Sequence, residues 1–242
     1  MHRRSTLALA LAATVTLSSC SAVEDLTGPE PEPAPSASAE ELLHDDVPVG
    51  TDWHTVEGQD LEDAVADHPK ASQATIEPEE CTDAALVTDD EDGQRAEIAG
   101  KGWTTEDGTA LPVLAVVKDG RSVDDLREAR EDCGEMTATP KDQDEDVTLE
   151  FEEEVHDGPE IDGADDSFEL DGTYGTSTER SEGHGLERYG IVAEVRGVLV
   201  VVMANPDYED EDSTVTLPIN DATKQAVAEV VRAQVDKIRT AS

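Results

Sequence analysis

The chain has 242 residues and carries 59 Asp plus Glu against 17 Lys plus Arg, a formal net charge of -42. That surface repels phosphate backbones and anionic headgroups, which argues against nucleic acid or a lipid surface as a partner of the folded part. Aromatic residues make up only 3% of the chain, so any core must be built from Val, Leu, Ile and Ala.

The first residues read as an export signal. His2, Arg3 and Arg4 precede the uncharged run "LALALAATVTL", which is too short to span a bilayer as a helix. The run ends in Leu17-Ser18-Ser19-Cys20, which resembles the bacterial lipobox, so residues 1–19 are expected to be a lipoprotein signal peptide and Cys20 the lipidated residue. Arg3-Arg4 lacks the aromatic residue usual after a twin-arginine pair, and both export routes stay open. Residues 20–40, rich in Pro, Glu, Ser and Ala, have too little apolar surface to offset the entropy of ordering. With "PEPEPAP" favouring extended geometry, they read as a spacer between the cell membrane and a domain on its extracytoplasmic face.

Residues 41–242 are long enough for one sizeable core and read as a single domain. "PEECTDAAL" predicts a short helix with Pro78 at its first position and acids in its first turn. "QRAEIAGKGW" and "LPVLAVV" read as strands flanking a turn. "SVDDLREAREDC" predicts a second helix, with Ser122 and Asp125 in a capping-box-like spacing and Val123, Leu126 and Cys133 on one face. Cys81 and Cys133 are the two cysteines of the mature part, and outside the cytoplasm an even pair reads as a disulfide between these helices.

"VTLEFEEEV" alternates apolar and acidic residues at period two, the pattern of a half-buried antiparallel strand. "YGIVAEVRGVLVVVM" joins two β-branched runs at Arg196-Gly197, a hairpin whose second strand is buried on both faces. The last segment places Val227, Val230, Val231, Val235 and Ile238 on one stripe of a helix capped by Asn220 or Asp221. The fold class expected is α+β, a mainly antiparallel sheet packed by a few helices, with one inter-helix disulfide.

No GxSxG elbow, HExxH, Walker loop or GxGxxG occurs, and His184 beside Ser177 and Ser181 lies in a Gly-rich connection. Neither Thr88 to Ala99 nor Asp142 to Glu153 satisfies an EF-hand pattern, the first failing at both ends and the second at its glycine position. "NPDYEDEDS" reads as a solvated acidic turn. His54, His68 and His156 lack paired metal-ligand spacing. No catalytic residue, metal or cofactor is assigned. The diffuse excess of acid reads first as adaptation to saline or alkaline surroundings, next as divalent cation binding and last as recognition of a cationic partner. Trp53 and Trp103 are the weak candidates for ligand contact, since scarce aromatics often line clefts.

The order of lipobox, Pro-rich spacer, "PEEC", a helix ending in a second cysteine, "YGIVAEVRGVLVVV" and a terminal helix resembles actinobacterial cell-envelope lipoproteins with a sensor-type extracytoplasmic domain, similar to that of PknH-type kinases. The resemblance implies an antiparallel sheet with helices around a cleft for an unknown ligand. The kinase type has two disulfides, and this chain has cysteines for one. The functional expectation is a lipid-anchored, non-enzymatic protein that binds a small ligand or an envelope partner. The alternatives are an enzyme acting on envelope polymers and a cation-binding or structural surface protein.

Overall fold

A computed structural model describes residues 32–45, 53–55, 74–84, 96–103, 111–118, 121–140, 148–176, 185–205 and 219–242. In chain order the elements are α1 (Ala39–Leu42), β1 (Trp53–Thr55), β2 (Ala74–Glu77), a 3-10 turn (Glu79–Ala84), β3 (Glu97–Trp103), β4 (Leu111–Lys118), α2 (Val123–Asp132), β5 (Glu135–Pro140), β6 (Leu149–Asp157), β7 (Asp166–Thr176), β8 (Leu186–Val195), β9 (Val198–Asn205) and α3 (Asp221–Thr240). The strands form one sheet in the order β1-β3-β4-β9-β8-β7-β6-β5-β2, every neighbouring pair antiparallel. The architecture is α+β.

β9 lies at the middle of this order because its sequence tolerates nothing else. Val198 to Ala204 is an unbroken apolar run, and every residue of it is buried, so both faces of the strand need cover. α3 covers one face: Val227, Val230, Val231, Val235 and Ile238 pack on Leu114, Val116, Ile191 and Val202. α2 covers the other, where Val123 and Leu126 meet Phe168, Leu170, Val192 and Val201. The helix caps follow the expected chemistry. Ser122 Oγ accepts the Asp125 N–H at 3.2 Å, and Asn220 Oδ1 accepts the Thr223 N–H at 2.9 Å.

The β8–β9 hairpin turns at Arg196 and Gly197, both in the left-handed region at φ 54° and 70°. Two positive φ values in succession are what a two-residue hairpin needs to match the strand twist, and the glycine adopts its share without steric cost. The arginine does not, and it is retained for what its side chain holds.

That side chain reaches the end of α3. Its Nη1 donates to the carbonyls of Ala241 at 2.6 Å and Ile238 at 3.3 Å, while Nε donates to the Pro33 carbonyl at 3.0 Å. The compact unit accordingly starts at Glu32. Much of the scarce cationic complement serves this entering segment: Lys118 Nζ donates to the Ala37 carbonyl at 2.5 Å, Lys101 Nζ to that of His44 at 2.9 Å, and Lys237 Nζ to that of Leu43. Gln234, fully buried in α3, donates to the Leu42 carbonyl and accepts the His44 N–H. Residues 33–44 are held through these backbone carbonyls and through Ala39, Leu42 and Leu43, which are buried in the core under α3.

Cys81 and Cys133 are joined, with Cα atoms 5.5 Å apart. Cys133 is the C-cap of α2. The segment around Cys81 differs from the α-helix expected there: it is a 3-10 turn beginning at Glu79, with Pro78 outside it accepting the Cys81 N–H through its carbonyl. A run of six residues is too short to gain from α-helical cooperativity, and the disulfide fixes it from the side.

Candidate functional site

Period-two alternation on β6 has an irregularity that turns out to organise the site. Leu149, Phe151 and Val155 point to the α2 face, and Glu153 lies in phase with them. Its carboxylate, 1% exposed, sits between two guanidinium groups: Arg130 of α2 donates to Oε2, and Arg188 Nη1 of β8 lies 2.8 Å from Oε1. Arg130 also donates through Nε to the Ala84 carbonyl at 2.7 Å, tying the 3-10 turn into the network. The Arg188 guanidinium lies 5.8 Å from the Tyr174 ring centroid, and Tyr174 in turn stacks with Phe151 at 6.0 Å. Burial lowers the Arg188 pKa to about 9, so it stays protonated at neutral pH. Two buried guanidinium groups thus share the Glu153 carboxylate inside an acidic protein.

The opposite side of the same strands is open. Residues adjacent in sequence alternate between faces, so Glu152 and Glu154 flank Glu153, Asp171 and Thr173 flank Gly172, and Glu187 and Tyr189 flank Arg188. Glu152, Glu154, Asp171, Thr173 and Glu187 floor a cavity of about 370 Å³, with Gly172 and Arg188 also in its lining, that Ile219 and Lys224 close at the start of α3. Glu152 and Glu154 are exposed. Glu187 Oε2 accepts the Ile219 N–H at 2.9 Å, which fixes the chain entering the helix. Lys224 Nζ donates to Asp171 Oδ1 at 2.7 Å and lies 4.5 Å from the Tyr189 ring centroid. Carboxylate and ring face together form a seat for an ammonium group. Burial raises the Tyr189 pKa, as do the charge of Glu169 and a hydrogen bond to it, so the phenol stays neutral. A second, smaller cavity of about 250 Å³ adjoins across Glu152, lined also by Glu77, Glu135 and Glu150.

The floor of carboxylates and the buried arginines are thus two sides of one patch of sheet. Of the four carboxylates around the cavity, Glu152 and Glu154 stay solvated, Asp171 is paired with Lys224 and Glu187 accepts the Ile219 N–H.

Of the residues singled out from sequence, His156 lies beside this cavity, and the others that are described lie elsewhere. Trp53 and Trp103 are brought together as cross-strand partners of β1 and β3, near the opposite edge of the sheet from β6, and their side chains lie outside what is described. Cys20, His68, His184 and most of the acidic "NPDYEDEDS" turn lie outside the described residues. His156 is on β6, with Nε2 3.8 Å from both Glu154 and Asp171. Sequence reasoning missed the cavity and the buried triad. The one available signal was Glu153, an acid in phase with an apolar face.

A family model described as a domain of unknown function, DUF5642, matches residues 50–234. The chain belongs to this family. Members of DUF5642 have no assigned activity in that description, and no curated protein matches this chain. Among solved structures, the chain is similar to an uncharacterized protein from Mycobacterium smegmatis, an Rv0999 ortholog, at 16% identity and a TM-score of 0.44, covering 78% of this chain and 86% of that one.

Proposed function

We propose that this member of DUF5642 is a lipid-anchored protein of an actinobacterial cell envelope whose domain binds a small ligand bearing a positively charged group, without catalysing a reaction on it. The resemblance to PknH-type sensor domains and the lipobox at Cys20 support the anchoring and the sensor-like role. The observation that carries the ligand class is Lys224: its ammonium group rests between the Asp171 carboxylate and the Tyr189 ring at the margin of the cavity, so the floor already accepts a cation. Glu152, Glu154 and Glu187 extend that preference across the rest of the floor. A cavity of about 370 Å³ is of the size that small-molecule sites occupy.

Native mass spectrometry of the full chain released from its own envelope tests both parts. A diacylglyceryl mass on Cys20 together with a reproducible cationic adduct is the expected spectrum. An unmodified Cys20 would sink the anchoring. A bare protein mass would sink the ligand.

A further inference from the structure

We infer that the domain is suspended by its β8–β9 hairpin pole and presents the acidic cavity away from the bilayer, to a ligand that arrives through the aqueous space of the envelope and not to one drawn from the anchoring membrane. The inference rests on the lipid anchor proposed for Cys20 and goes beyond it, because anchoring alone fixes no orientation.

The geometry begins with Arg196. At the tip of the hairpin it holds both the first residues of the compact unit, through the Pro33 carbonyl, and the last turn of α3, through the Ile238 and Ala241 carbonyls. Ser36 adds to the same junction, donating through its N–H and its hydroxyl to the Ser242 carbonyl, each at 3.2 Å. The chain arriving from Cys20 therefore meets the domain at one defined pole. From there residues 36–44 run up beside α3, fixed in turn by Lys118, Lys237 and Gln234, so the junction cannot migrate along the domain without breaking a series of hydrogen bonds.

The cavity lies at the far end of the same two elements. Arg188 and Glu187 are at the start of β8 and Lys224 is in the first turns of α3, whereas Arg196 and Ile238 are at their other ends. The separation is about 26 Å along β8 at about 3.3 Å per residue, and about 21 Å along α3 at about 1.5 Å per residue. Two independent elements agree on the direction and on the distance. A net charge of -42 on the chain pushes the domain away from anionic headgroups. In that pose the cavity faces away from the acyl chains of the anchoring bilayer.

The test uses the full lipidated chain in vesicles of phosphatidylethanolamine and phosphatidylglycerol carrying an acceptor-labelled lipid. A donor dye is attached at one of two exposed positions, through Asp162→Cys beside the hairpin pole or Ala222→Cys at the start of α3. Energy transfer to the bilayer is expected to be about twofold or more higher from position 162 than from 222, given the separation along α3 and β8. Equal transfer, or higher transfer from 222, overturns the orientation. Vesicle flotation with and without Cys20→Ala separates the two levels of the argument. Chain that floats only with Cys20 intact, yet transfers equally, defeats the orientation alone. Wild-type chain that fails to float defeats the anchor and the orientation with it.

Discussion

Glu153 and Arg188 form an ion pair across a strand that lies between them. The residue in register with both is Gly172, on β7, and the absence of a side chain there leaves the passage through which the carboxylate and guanidinium approach to 2.8 Å. A Cβ at position 172 would lie 2.5 Å from the Glu152 carbonyl oxygen and 3.1 Å from Glu153 Cα, both backbone atoms that cannot swing aside. Buried ion pairs seldom add net stability over apolar packing, but one that has lost its geometry is strongly unfavourable. The triad is therefore sensitive to its surroundings out of proportion to its size.

Gly172→Ala is expected to destabilise the domain by about 1 to 3 kcal/mol, the usual cost of forcing atoms into a filled space. Urea unfolding should show a lower midpoint with an unchanged slope. A midpoint equal to wild type would mean that the strand shifts freely and the passage is not required.

Arg196→Asn keeps a residue suited to positive φ at the hairpin while removing the guanidinium. The hairpin should survive. Residues 33–38 should become cleavable by added protease several times faster, because the guanidinium that ties Pro33 to the end of α3 is gone. Cleavage at the wild-type rate would show that Lys118 and Ser36 suffice to hold the segment.

Asp166 gives a pH dependence with a definite sign. Burial alone would raise its pKa, but hydrogen bonds from Arg127 and the Ser167 N–H, with the Arg127 charge, outweigh this and hold it below the ordinary carboxylate value. A depressed folded pKa contributes stability that is present above the unfolded pKa, near 3.9, and is lost as pH falls through the folded value. Asp166→Asn should therefore melt below wild type at pH 7, and the gap should close on acidification below about pH 4. A gap independent of pH would assign the loss to packing. Asp166 is 44% exposed by side chain, so solvent screening keeps the effect small.

The disulfide closes a loop of 52 residues in sequence, for which the chain-entropy model gives on the order of 4 kcal/mol. Paired Cys81→Ser and Cys133→Ser replacement should lower stability by about that amount and loosen the 3-10 turn first, since Arg130 then holds it through the Ala84 carbonyl. Amide exchange at residues 79–84 that stays as slow as in wild type would contradict this.

What could be read from the sequence was whatever periodicity and local chemistry specify. The hairpin at Arg196-Gly197, the doubly buried β9, the α3 stripe and the Ser122 and Asn220 caps each depend on residues within one or two turns of each other. The cavity depends on which strands become neighbours. Glu152, Asp171 and Glu187 belong to three strands, and in a chain with 59 acids no spacing distinguishes them from the solvated remainder. The docking of residues 33–44 was hidden for a related reason: apart from Ala39, Leu42 and Leu43, it is made by lysine, arginine and glutamine side chains on backbone carbonyls, a contact with no sequence pattern. Trp53 and Trp103, marked by rarity, are cross-strand partners whose side chains lie outside what is described.

The central claim is that the floor around Asp171 selects a cationic ligand. Native mass spectrometry of wild-type and Asp171→Asn chains, each isolated undenatured from its native host cells, addresses it most directly. The account predicts a cationic adduct on the wild type that is lost or much reduced in the variant. A wild type without an adduct, or an adduct retained equally in both, would contradict it.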